Sequence, residues 1–484
     1  MKQQVVNLFL YRWRYPIGYG ILILVFLIAA TTASLYAPGG LTQTEINNLA
    51  YTQSIADGTL PVSNIPLHLL QLASVSLLGV SIFSIKLPAV VISAVAAIAL
   101  FLLLKRWFKT NVALLTMLIM TASGQFIFLA QNATSHILFA AYSALILLFA
   151  SLILQKAKGQ LIWKIGLAVS VGLSLYTPYF VYINLGLLAV ALIHPYPRHH
   201  LFKKSQRKNW TIAALVLLAV ISPLLYLCFQ NPELISILLG VYAASFDIPG
   251  NLKLLLQSYF WVEPIVANSR ILPLLDFSAA AIIILGFIVL FSDRYRARTY
   301  MIVAWLLLTL PILFLQPNLT TIALVPVFIL LAMGLERLLR EWYKLFPKNP
   351  YARAVGLVLI VGLIGAMVFS GIDRYTHGYR HLPEAAYQFN SDLRLLKREL
   401  RARPAKTHLI VTDDEKPLYD MLSRFDKFDL SVGTSPRRSD FDTANVIVTK
   451  QANSSVPAKG WTLQRIVTND NFMTGDRLYL YKVD

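Results

Sequence analysis

Apolar residues run in near-continuous blocks along the first 371 positions of this chain, and the blocks are separated by short polar clusters. A helix rises about 1.5 Å per residue and a bilayer core is about 30 Å thick, so a block of roughly 20 residues reads as a membrane-crossing helix. The pattern predicts eleven such spans, near 17–36, 87–104, 111–129, 136–154, 162–177, 179–194, 210–229, 275–292, 300–316, 319–335 and 354–371. Between the first two, the apolar stretch from Pro66 to Ile82 is interrupted by His68, Gln71 and several Ser, which predicts a helix lying in the interface or re-entering it. After Gly371 the pattern changes. Residues 382–402 have helical spacing, and HLIVT, NVIVTK and RLYLYKV read as short strands. The expected architecture is an α-helical polytopic membrane domain over residues 1–371 and a small soluble α/β domain over 372–484.

Composition agrees with that pattern. The chain is 57% hydrophobic and 14% charged, whereas ordinary globular chains are about a quarter charged. A net charge of +19 would suit a nucleic-acid binder, but the positions of the cations exclude that reading and follow the positive-inside rule. With the N-terminus placed in the cytoplasm, the inner segments up to residue 371 hold 22 Lys and Arg and the outer segments hold three, Lys86, Lys253 and Arg270. The asymmetry predicts an integral protein of the plasma (inner) membrane whose C-terminal domain is extracytoplasmic. The first span is read as a retained anchor, and the single cysteine, Cys228, excludes a disulfide within the chain.

Acidic residues are scarce in the membrane part, which concentrates the candidate chemistry. Of nine, six fall on the outer side: Glu45, Asp57, Glu233, Asp247, Glu263 and Asp276. A carboxylate kept beside an apolar surface is a candidate for function because placing it there is unfavourable. Glu45 stands out: it follows a Pro-Gly-Gly turn just outside the first span, lies in the helix-like run TQTEINNLAYTQSIA, and has no cation near it in its own loop. Such a group suits a general base, and Asp57 is the second candidate, with a turn before Gly58 as its plainer explanation. Lys86, Lys253 and Arg270 could face a phosphate leaving group, with membrane anchoring and an ion pair to Glu263 as the competing accounts. Two outer segments, 37–86 and 230–274, are long enough to carry a site, and the second reads as a turn-rich crossing that would cover Glu45. The histidines give no zinc signature; the outer carboxylates could hold a divalent cation, although their spacing does not demand one.

Three segments together resemble the polytopic glycosyltransferases of the GT-C superfamily, in particular the protein mannosyltransferase and aminoarabinose transferase-like branch. They are GGLTQTEINNLA with the following NIPLHLLQLASVSLLGVSIFSIKLPAVV, then ASGQFIFLAQNATSHILFAAYSALILLFA, and SLYTPYFVY at 174–182. Glu45, Pro66, Leu67, Lys86, Leu87 and Pro88 match that pattern, while Thr44 stands where the family usually has the Asp of an Asp-Glu pair, and Gln131, Asn132, Thr134 and His136 replace residues that are often charged or aromatic. The resemblance implies transfer of a sugar from a polyprenyl-phosphate donor in the membrane to a glycan, lipid or protein acceptor on the outer face. It implies Glu45 or Asp57 as the catalytic carboxylate, and Lys86, Lys253, Arg270, His68, Tyr176 and Tyr179 as substrate-binding residues. Thr44 leaves three readings open: Glu45 has taken over the base, Asp57 reaches the site, or the chain is an inactive relative that binds or scaffolds at the membrane.

Overall fold

The computed structural model describes residues 9–36, 40–57, 63–201, 207–241, 247–260, 265–267, 270–272, 274–292, 297–345, 350–379, 392–402, 406–426, 428–436, 445–457, 459–468 and 476–483. Its helices in chain order are α1 (Phe9–Tyr36), α2 (Gln43–Ala56), α3 (Ile65–Leu78), α4 (Ile82–Trp107), α5 (Thr110–Ala122), α6 (Gly124–Gln131), α7 (His136–Leu154), α8 (Gln160–Ser174) and α9 (Phe180–Ile193). They continue as α10 (Pro195–Leu201), α11 (Arg207–Gln230), α12 (Glu233–Leu239), α13 (Ile248–Phe260), α14 (Phe277–Ser292), α15 (Ala297–Leu315), α16 (Leu324–Leu345) and α17 (Pro350–Asp373). A helix or helix pair stands at each of the eleven positions predicted for a span. The count of eleven crossings is nevertheless not confirmed. Among the described residues six helices are long and apolar enough to cross a membrane, or seven if α5 and α6, bent by 63° at their junction, form one span. The remainder, such as α8, α9 and α14, are apolar but shorter.

Two kinds of surface define the membrane part. Large apolar side chains point outward on many helices, among them Ile98, Leu188, Leu218, Ile284 and Leu359, as lipid-facing residues must. The inner faces of α4, α6, α7 and α16 build one core around Leu100, Phe126, Phe139, Leu147 and Ile329. Helices in lipid gain no hydrophobic drive from meeting each other, so close packing does the work. α14 and α16 show this: a Cβ on Gly286 would stand 2.0 Å from the Leu330 carbonyl oxygen, so only glycine permits the approach.

The C-terminal part forms a five-stranded sheet in the order β4-β3-β5-β7-β6, from β3 (Thr407–Ile410), β4 (Leu430–Gly433), β5 (Asn445–Thr449), β6 (Trp461–Thr468) and β7 (Arg477–Val483). β3 runs parallel to β4 and β5, and β7 runs antiparallel to β5 and β6. Helices Leu393–Ala402 and Lys416–Phe425 flank it. The predicted 382–402 helix is observed from Leu393; its first part lies outside the described residues. The core of this unit does not close on itself. Leu396, Leu409, Leu418 and Leu422 pack in one cluster with Leu41, Ile46, Leu49 and Ile85, so the segment between α1 and α4 and the C-terminal sheet share a hydrophobic interior.

Of the stretch GVYAASFDIPGN, expected to be a turn-rich crossing, residues 242–246 lie outside the described residues; the 230–274 segment around it has regular elements. It carries α12, α13 and a short hairpin of β1 (Ile265–Ala267) and β2 (Arg270–Leu272).

Candidate functional site

The first turn of α2 builds the site. Thr42 is its N-cap: its hydroxyl accepts the Glu45 N–H at 3.2 Å while Glu45 Oε2 accepts the Thr42 N–H at 2.9 Å, a reciprocal capping box that fixes where the carboxylate points. The other oxygen, Oε1, accepts the backbone N–H of Ala133 at 2.8 Å, from the link between α6 and α7. Lys86, in the second turn of α4, places Nζ 3.5 Å from the same oxygen and donates to the Gly40 carbonyl at 3.4 Å. Glu45 is fully buried and Lys86 nearly so. The absence of a cation in the loop of Glu45 therefore does not leave it unneutralised, because α4 brings one in from outside that loop.

The last helix reaches the same place. Tyr375, buried just after α17, donates its hydroxyl to Gln131 Oε1 and lies within electrostatic reach of Glu45. Its neighbour Arg374 pairs with Asp276, which precedes α14, and Ser370 Oγ stands 3.5 Å from that carboxylate. Neither Tyr375 nor Arg374 was singled out from the sequence. Their position directly after α17, just past the expected domain boundary at 371, is the signal that the sequence carries.

Midway along α2 a second polar cluster is enclosed. Thr52 Oγ1 donates to Gln71 Oε1 at 3.0 Å, and His68 Nδ1 lies 3.2 Å from both Thr52 Oγ1 and Gln71 Oε1. With the Thr52 hydrogen committed to Gln71, both neighbours act as acceptors and Nδ1 carries a proton. Burial pushes the His68 imidazole down to about 4, against a smaller upward effect of the Gln71 bond. His68 is thus a neutral member of an internal network at neutral pH.

The other candidates are dispersed. Asp57 ends α2, exposed, paired with Arg424 of the C-terminal sheet unit. About 18 Å of helix separates it from Glu45 at about 1.5 Å per residue, so the two carboxylates do not share a centre. Tyr176 and Tyr179 are buried and donate to backbone carbonyls, Tyr176 to Val220 at 2.8 Å and Tyr179 to Gly240 at 3.2 Å. A Cβ on Gly240 would meet the Tyr179 ring at 2.1 Å, so the two tyrosines tie the α8–α9 turn to α11 and α12. Lys253 is exposed on α13, and the side chain of Arg270 lies outside the described residues, as does Glu263. The described contacts of Glu45 come from α2, α4 and the α6–α7 link, not from the 230–274 segment that was expected to cover it. The C-terminal unit approaches instead, with Gln43 Nε2 donating to the Asp414 carbonyl at 3.3 Å.

Among the described residues no three His, Cys, Asp or Glu side chains are grouped so that they could hold a metal ion. Both oxygens of Glu45 accept from protein donors.

Comparison with known proteins bears on the fold. The family model described as dolichyl-phosphate-mannose-protein mannosyltransferase matches residues 66–227. The structure is similar to ArnT from Cupriavidus metallidurans in the apo state, with a TM-score of 0.59 at 11% identity, covering 97% of this chain and 98% of that one. The fold is that of the GT-C superfamily. The GT-C likeness extends to ArnT bound to undecaprenyl phosphate, with a TM-score of 0.57 at 12% identity over 96% of this chain and 97% of that one. It also extends to the Archaeoglobus fulgidus oligosaccharyltransferase, with a TM-score of 0.54 at 12% identity over 90% of this chain and 69% of that one. No curated protein matches the sequence. At such identities the likeness speaks for the fold, and this GT-C fold is an integral membrane one.

Proposed function

We propose that the chain is a glycosyltransferase that moves a sugar from a polyprenyl-phosphate donor to an acceptor at the extracytoplasmic face of the inner membrane, with its N-terminus cytoplasmic. The observation that carries the reading is the buried Glu45–Lys86 pair at the outer ends of the helices, set in a fold shared with ArnT along nearly its whole length. In this reading Glu45 takes the proton of the attacking hydroxyl as the new glycosidic bond forms, and Lys86 moves its charge to the phosphate as the sugar–phosphate bond breaks. Lys253, and Arg270 on β2, supply further positive charge from the second outer segment, His68 orients α3 through the Thr52–Gln71 network, and Tyr176 and Tyr179 shape the wall against which the lipid lies. Asp57 has no part in the chemistry because of its distance from Glu45. The donor sugar and the acceptor class stay open in this proposal.

One observation favours a second reading. The carboxylate of Glu45 is already bound by Thr42, Ala133 and Lys86, and Thr44, where a family Asp would stand, has no basic group to offer. An inactive relative that keeps the lipid-phosphate site and acts as a membrane binding or scaffold protein would show this pattern. Purified protein incubated with a polyprenyl-phosphate sugar and mixed acceptors separates the two. Release of the carrier phosphate supports the transferase; binding of the donor lipid without release supports the scaffold.

A further inference from the structure

A second candidate site lies at the far ends of the helices. α5 begins beside Lys109 and its continuation α6 ends at Gln131, next to the link that donates to Glu45, so Lys109 and Glu45 stand at opposite ends of the bundle. At the Lys109 end, α1, α5, α16 and α17 diverge around a cleft of about 910 Å³. Its rim carries Lys109, Arg340 and Lys344 with Glu336, and its walls include Val112 and Leu115 of α5 on one side and Ile360 and Val361 of α17 on the other.

The charges of this rim are unbalanced. Glu341 is shared by Arg337 and Lys344, each at 3.1 Å, and stands 4.0 Å from Arg340. Counting Lys109, Arg337, Arg340 and Lys344 against Glu336 and Glu341 leaves an excess of two positive charges. Lys109 is exposed and has no carboxylate within 4.0 Å among the described residues.

We propose that this cleft binds an anionic phosphoglyceride, its phosphate held by Lys109 and Arg340 and its two acyl chains lying along the α5 and α17 walls. Basic pockets between membrane helices hold acidic headgroups because each nearby cation contributes about 1 kcal/mol to their attraction. Free phosphate would leave the apolar walls uncovered, and a two-chain lipid fits walls on two sides better than a single polyprenyl tail. The inference does not depend on the transferase reading, since it concerns the end of the molecule away from Glu45.

Native mass spectrometry of the delipidated full-length protein tests it, with phosphatidylglycerol, phosphatidylethanolamine, inorganic phosphate and undecaprenyl phosphate as separate additions. Phosphatidylglycerol should bind in preference to the other three. Lys109→Gln and Arg340→Gln should each weaken that binding roughly fivefold, the equivalent of about 1 kcal/mol per cation. Glu336→Gln should strengthen it, a change of sign that damaged folding would not produce. Equal binding of phosphatidylethanolamine, displacement by equimolar undecaprenyl phosphate, or adducts unchanged in Lys109→Gln, Arg340→Gln and Glu336→Gln would each overturn the proposal.

Discussion

The two ends of α2 carry the two carboxylates that the sequence offers as candidates, and the fold treats them in opposite ways. At the first turn Glu45 is sealed under the α6–α7 link, bound by a cap, a backbone N–H and Lys86. At the C-cap Asp57 lies half in solvent against Arg424, with side chains 51% and 46% exposed. The lesson is that a carboxylate's chemistry here follows from what surrounds its helix end, α4 and the α6–α7 link or Arg424 of the C-terminal sheet unit, and not from its local sequence alone. If the proposed function holds, that contrast predicts the largest effect. Glu45→Gln should lower release of carrier phosphate by at least about 100-fold, while Asp57→Asn stays within about twofold of the parent in the same assay. Comparable losses in both variants would erase the distinction between the ends.

The next effect concerns stability at the Glu45 end alone. Lys86→Met leaves a fully buried carboxylate with backbone and hydroxyl donors but no cation, and breaking such a pair typically destabilises by about 3 kcal/mol. Thermal unfolding in detergent should show the loss. Combining Lys86→Met with Glu45→Gln should recover most of it, because the buried charge is then gone. Failure of the double variant to recover would mean that Lys86 acts through its bond to Gly40.

Between the two ends, His68 gives the comparison a pH axis. Its imidazole is lowered from 6.5 to about 4 by burial, so an unfolded chain takes up the proton before the folded one does. The stabilising contribution of the neutral ring is complete above pH 6.5 and is lost progressively as pH falls toward about 4. Hydrogen-exchange protection factors across α2 and α3, taken relative to the intrinsic exchange rate at each pH, should fall over that window, and His68→Asn should remove that part of the pH dependence. An unchanged profile in His68→Asn would show that other groups set the acid response; Asp476, just before β7, is not one of them, because burial pushes its carboxyl up to about 7 and its protonation favours the folded state as pH falls.

How much of this was legible in the sequence depended on whether an element is defined by its own residues or by distant ones. Helix positions in the membrane part were readable because each apolar block must satisfy its backbone internally. The strands at HLIVT, NVIVTK and RLYLYKV were readable from β-branched and aromatic runs, whereas β4, with one buried residue followed by half-buried positions, and β6, with a mostly exposed face, carry no such pattern. Glu45 was visible as an isolated carboxylate, but its partners were not. The Ala133 donor is a backbone N–H 88 residues away, which no side-chain motif reports, and the pairing of Lys86, a candidate phosphate partner, with Glu45 joins residues from two different helices. The shared core between Ile46, Leu49 and Leu418 joins segments more than 350 residues apart in sequence, and a change of composition at residue 371 says nothing about such packing.

The smallest effect is expected at the exposed end. Asp57 and Arg424 form a surface ion pair between α2 and the Lys416–Phe425 helix, reinforced by Arg424 donating to the Ala56 carbonyl at 2.8 Å. Water and salt screen such pairs, so Asp57→Asn should reduce stability by less than about 1 kcal/mol and by still less at high ionic strength. Arg424→Ala should lower it somewhat further, since the carbonyl bond goes as well. The docking of the C-terminal sheet unit should nevertheless survive either change, because the cluster that holds Leu49, Leu418 and Leu422 is untouched and Asp426 still accepts the Val80 N–H at 3.3 Å. Limited proteolysis between the membrane part and the C-terminal sheet measures that docking. A new cleavage site in Asp57→Asn at physiological salt would show that this charged end of α2, and not the shared core, holds the two parts together.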